Sequence, residues 1–143
     1  RYASEAGHSL ETLMYVHLVA HFRNEPRVTF VIDDSYLTYM EIYDQTIRFH
    51  HGHEIKYAGG VGGIFIPAFK AIAQWDKGRQ ADLDIFGHFH QCKDGGKFMS
   101  NGSLIGYNAY AIRNKFDFEP PKQQLLLIDK KRKRTFVCPI LVS

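Results

Sequence analysis

Five of the eight histidines fall in two short segments, Phe49-His50-His51-Gly52-His53 and Gly87-His88-Phe89-His90. Neutral imidazole is a borderline ligand that suits zinc, manganese or iron. Three such donors are enough to hold one catalytic zinc with a position left open. A metal pair acting on a phosphoryl group demands more. A bridging carboxylate must hold two cations about 3.5–4 Å apart, where they clamp the attacking and leaving oxygens and lower the pKa of a bridging water. A metal-bound imidazole also gives its second N–H to a carboxylate or carbonyl, and Glu54 and Asp84 stand nearby as candidates. The competing reading is that these histidines only pack or face solvent in a β-rich domain.

Such side chains need rigid elements to aim them. The apolar run Leu83 to Phe86 reads as a short buried strand. Gly87 then permits a sharp turn or close backbone approach, and in an extended segment His88 and His90 would fall on one side. The upstream cluster follows another strand-like run, Thr46 to Phe49. Before it, Val28 to Ile32 and Tyr36 to Tyr43 read as strands, and Asp33-Asp34-Ser35 reads as a turn more readily than as ligands. Between the two histidine clusters the glycine-rich stretch Ala58 to Gly63 lacks the Gly-Lys-Ser/Thr ending of a P-loop. It is a mobile lid, or a set of amides at a helix N-terminus facing an anion, or a flexible connector. A helix from Ile64 to Trp75 follows, with Pro67 acceptable only in its first turn.

The flanks are plainer. Ser9 is a candidate N-cap, and Leu10, Leu13, Met14, His17, Leu18 and Phe22 keep helical spacing, so an amphipathic helix is expected there. His17 and His21 lie i, i+4 on it, but no Glu follows His17, and the pair reads as ordinary half-buried histidines. Lys97 to Met99 reads as a strand. Gln123 to Ile128 and Thr135 to Leu141 read as two more, joined by the basic run Lys130-Lys131-Arg132-Lys133-Arg134. That run is expected to be a solvated hairpin turn remote from the histidines.

With 143 residues the chain can form one domain with a real core. No apolar run approaches the roughly 20 residues of a membrane span, and no signal-peptide pattern opens it. The net charge of +3 is too mild to argue for nucleic acid by itself. Cys92 and Cys138 make no disulfide framework, so a reduced, cytoplasmic protein is expected.

His51-Gly52-His53, followed some 35 residues later by Gly87-His88-Phe89-His90, resembles the C-terminal half of a calcineurin-like metallophosphoesterase. Asn101-Gly102-Ser103 is similar to the loop that follows the second motif there, and the flavour is that of the phage-encoded and repair-nuclease-like branch. The resemblance implies an α/β fold, part of a four-layer α/β/β/α sandwich with a mostly β C-terminal half. It implies that His51 and His88 bind one divalent metal and His90 a second, the ions being manganese, iron or zinc. His53 and Asn101 would lie near the phosphate or behind the ligands. The activity implied is hydrolysis of phosphomono- or phosphodiesters, DNA among them, by a metal-bridged hydroxide. The family's earlier motifs, Asp-x-His, Gly-Asp and Gly-Asn-His, do not occur, and the first residue is Arg1. The expectation is therefore the C-terminal portion of a longer enzyme. Its catalytic His and bridging Asp would lie upstream, and the part alone would be inactive, prone to self-association and dependent on the N-terminal half. The alternative is a non-catalytic nucleic-acid-binding module built on the basic hairpin and the aromatics Tyr107, Tyr110, Phe116 and Phe118.

Overall fold

Parallel strands that end at one edge organise the larger part of the molecule. The computed structural model describes residues 10–33 and 35–142. They form α1 (Leu10–His21), β1 (Thr38–Ile42), β2 (Gln45–His50), α2 (Phe65–Trp75), β3 (Leu83–Phe86), β4 (Lys93–Asp94), β5 (Phe98–Ser100), α3 (Ala109–Arg113), β6 (Lys122–Asp129) and β7 (Lys133–Leu141). Two compact units result, one ending at Thr38 and one starting at Tyr39.

In the second unit a five-stranded sheet has the order β1-β2-β3-β5-β4. β2 pairs β3 in parallel, β3 pairs β5 in parallel, and β4 closes the edge antiparallel to β5. Parallel neighbours need a long crossover, and α2 supplies it between β2 and β3. Pro67 sits at the third helical residue, where its missing N–H has no partner to lose. Ala68 and Ile72 of α2 pack with Ile55, Ile64, Phe86, Phe89 and Phe98 into the core. β6 and β7 form a separate antiparallel hairpin with a bulge between Leu127 and Ile128. This mixture of sheet and helices is the α/β class expected from the sequence.

Three expectations need correction. Val28 to Ile32 forms no strand: Val31 and Ile32 are 65% and 49% exposed, and β-branched residues without a pairing partner do not make a sheet. Helix α1 forms but buries none of its residues, and Leu10, Leu13, Met14, Val16, Leu18 and Val19 encircle it instead of forming one stripe. His17 and His21 are accordingly exposed, not half-buried. The basic run, finally, is turn only in part. Lys130 to Arg132 make the tip, where Asp129 Oδ1 accepts from the Lys131 and Arg132 amides, while Lys133 and Arg134 belong to β7. Asp33 accepts from the Ser35 amide and hydroxyl. Asp34 lies outside the described residues.

Candidate metal centre

The site grows from strand ends. His50 is opposite Phe86 at the last rung of β2–β3, and Phe86 is opposite Ser100 at the last rung of β3–β5. Three parallel strands therefore release His51, Gly87 and Asn101 at one edge, the usual place for ligands in α/β sheets. Two backbone bonds tie the exits together: Gly87 N–H donates to His51 O (3.1 Å) and Asn101 N–H to Phe86 O (2.8 Å).

The histidine rings converge there. His51 Nε2 lies 3.1 Å from His88 Nδ1. The ring centroids of His51 and His53 are 5.3 Å apart, and those of His53 and His88 are 6.3 Å apart. Glu54 Oε1 is 3.0 Å from His53 Nε2, within ion-pair distance but without hydrogen-bond geometry. His90 takes a different setting: its ring faces Phe116 and Tyr110 at 5.2 and 5.8 Å, and its Nδ1 is buried without a hydrogen bond. Tyr110 and Phe116 thus wall a histidine, a role that their lack of periodicity did not signal.

The segment after β3 is not extended. His88 and His90 have φ of 67° and 52°, in the left-handed region where non-glycine residues are uncommon. Strand alternation therefore does not decide where they point, contrary to the sequence expectation. The glycine that the site requires is Gly52, not Gly87. Gly52 has φ +109° and lies against Gly87 O and His88 Cβ, whereas a Cβ on Gly87 would find nothing closer than His51 O at 3.9 Å.

Asp84 does not serve a ligand. It is fully buried and holds Arg48, its register partner, by two bonds of 2.6 and 3.0 Å. Arg48 also donates to Arg79 O and Asp76 Oδ1. Burial alone would lower the Arg48 pKa, but Asp84, Tyr39 and Asp76 more than offset it and hold the guanidinium charged. His50 packs between Phe86 and Trp75, 3.5 Å from Asp84 at its nearest, as a core residue. Asn101 is tied as well, since its Oδ1 accepts from the Gln124 amide and fastens the hairpin to the end of β5.

Burial, then the neighbouring His51, His53 and His90, push the His88 pKa below its ordinary value, with Glu54 acting weakly in the other direction. A neutral ring is the form that ligates. Nitrogens bound side by side to a tetrahedral ion at 2.0–2.1 Å lie about 3.3 Å apart, so the separation of 3.1 Å between His51 and His88 suits one edge of a coordination shell. The fit stops there. Among the described residues, no group of three or more His, Cys, Asp or Glu is arranged to hold a metal ion. A dinuclear set is not assembled from these residues.

The sheet, crossover helix and hairpin make a mixed α/β fold. Solved structures of Vps29 share it. Wild-type Vps29 from Entamoeba histolytica, complexed with zinc, matches at a TM-score of 0.50 and 20% identity, over 80% of this chain and 64% of that one. A single-mutant form from the same organism matches at 0.50 and 19%, over 80% and 65%. The chain therefore spans less than two thirds of these relatives, and at such identities the likeness concerns the fold alone. Neither a protein-family model nor a curated protein matches the sequence. No helix among the described residues is long and apolar enough to cross a membrane.

Proposed function

We propose that this chain carries the histidine side of a divalent-metal phosphoesterase centre, the remaining ligands coming from outside the described residues. The observation that carries the reading is the His51–His88 pair, 3.1 Å apart at the shared end of two parallel strands. His51 and His88 would hold one ion edge-on. His90, walled by aromatics, would serve a second, and His53, with Glu54 behind it, would lie near the phosphate. Residues 1–143 would be the C-terminal portion of a larger cytoplasmic enzyme. The resemblance to the phage-encoded and repair-nuclease-like branch makes a phosphodiester, with DNA ends included, the first substrate to try. For the nucleic-acid-module alternative, Tyr107, Tyr110 and Phe118 are exposed, while Arg134 is ion-paired with Asp94 and Phe116 lines His90.

Calorimetric titration with manganese and with zinc tests the reading. Weak binding of a single ion is expected, falling about tenfold or more in His51→Ala and in His88→Ala. Binding indifferent to both substitutions would remove the centre. A chromogenic phosphodiester should not be turned over by this chain alone. Chelator-sensitive turnover by the chain alone would show that the missing ligands lie within it.

A further inference from the structure

At the opposite end of the same strands lies a cavity of about 240 Å³. Gln45, Asp82 and Leu83 line it at the starts of β2 and β3, and Arg132, Lys133 and Arg134 line it from the hairpin. The five steps from Gln45 to His50 along β2 separate it by roughly 16 Å from the histidine end. Gln45 is 6% exposed, and its Nε2 is buried with no hydrogen-bond partner. A buried amide that donates to nothing penalises the fold unless something supplies an acceptor.

The rest of the lining says what that acceptor is. Three cations face one carboxylate, Asp82, whose Oδ2 accepts from the Thr46 amide at 2.9 Å and whose charge offsets one of them. Arg134 is held in place by Asp94 and Gly96 O. Lys133 has only Asp44, at 3.9 Å between two half-exposed side chains, and Arg132 makes no ion pair among the described residues. The cavity therefore offers N–H donors and unspent positive charge, with room for a tetrahedral oxyanion and a small substituent.

We infer that this cavity binds a phosphate-type oxyanion, with Arg132 and Lys133 supplying charge from the hairpin and the buried Gln45 amide turning its Nε2 onto the anion. It is independent of the histidine centre, since it shares no residue with it. Arg132 is a flexible cation that can swing onto a bound anion, and a charge-assisted bond of that kind is worth about tenfold in affinity.

The test is the melting temperature of the chain titrated with sodium phosphate, against sodium chloride at matched ionic strength. Phosphate should raise it in a saturable way that chloride does not. Arg132→Gln and Gln45→Leu should each weaken the apparent affinity about tenfold or more. Without phosphate, Gln45→Leu should melt no lower than the parent, because it removes an unsatisfied donor. Lys130→Gln at the tip, and His51→Ala at the other end, should leave the response intact. If phosphate does no more than chloride, or if the response survives in Arg132→Gln, the site does not exist. If the response is lost in His51→Ala, the anion binds at the histidines instead. Arg132→Gln, being on the surface, keeps the test valid even if Gln45→Leu folds poorly.

Discussion

His50 and Phe86 face each other at the last rung of β2–β3, with rings stacked at 4.9 Å and 21°. This pairing brings the two histidine segments together. Because the strands are parallel and end level, the residues that follow leave the sheet side by side, and His51 meets His88 without any long-range docking of loops. Two rungs back, Arg48 faces Asp84 in the same register and on the same side of the sheet. The site thus stands on a buried ion pair and an aromatic stack.

That ion pair should be costly to break singly. Arg48 and Asp84 are both fully buried, so Arg48→Met leaves a carboxylate in the interior and should cost about 3–5 kcal/mol in urea unfolding. Arg48→Met combined with Asp84→Leu should recover much of the loss. If the double variant is as unstable as the sum of the singles, the pair is not coupled in this way.

Much of this was legible because it depends on local pattern. Leu83 to Phe86 is a strand with the expected bounds, and Pro67 falls inside the first turn of its helix. The two histidine clusters do converge. Asp84, lodged in an otherwise apolar strand, carries a signal of pairing, whereas Arg48 sits among the polar Gln45, Thr46 and His50 and carries none. Their partnership requires a register between strands 36 residues apart, which short-range periodicity does not contain. The left-handed backbone at His88 and His90 was invisible for a related reason. It belongs to a loop whose two ends are set by β3 and β4, and no run of apolar residues marks it.

The hairpin divides the basic run into expendable and anchored residues. Lys130→Ser and Lys131→Ser should change stability by no more than about 0.5 kcal/mol. Arg134→Ser should cost about 1 kcal/mol, because it strips Asp94 of its partner and Gly96 O of a donor. Equal effects at all three positions in denaturant titrations would mean that Arg134 is as solvated as the tip.

Acid should loosen the sheet through Asp76. Burial would raise its carboxyl pKa, but bonds from Lys97, the Ala81 amide and Arg48 outweigh that and hold it below its ordinary value of 3.8. The unfolded chain therefore binds the proton first as pH falls. The stability that Asp76 contributes is complete above about pH 4 and drains away as pH drops toward its folded value. Asp76→Asn should be less stable near neutrality and show a flatter acid limb. An acid limb unchanged by Asp76→Asn would assign the loss to other carboxylates.

Gly52 should control the histidine site without being a ligand. Its φ of +109° disfavours any side chain, and an added Cβ would lie 3.2 Å from Gly87 O, 3.2 Å from His88 Cβ and 3.3 Å from Phe86 Cδ2. The first of these is backbone and the third belongs to the core, so neither yields easily. His88 Cβ moves only with its backbone, and His88 carries the Nδ1 that lies 3.1 Å from His51 Nε2, so a shift there reaches the pair. Gly52→Ala should therefore cost about 1–3 kcal/mol of stability through backbone strain. It should also weaken manganese or zinc binding about tenfold, as loss of a supporting contact behind a ligand does. Gly60→Ala separates the two effects, because Gly60 has φ +120° with nothing within 4 Å of an added Cβ. That substitution should cost stability by strain alone and leave metal affinity where it was. If calorimetry gives Gly52→Ala the parent's affinity for metal, the closeness of Gly52 to His88 does not set the spacing of the pair.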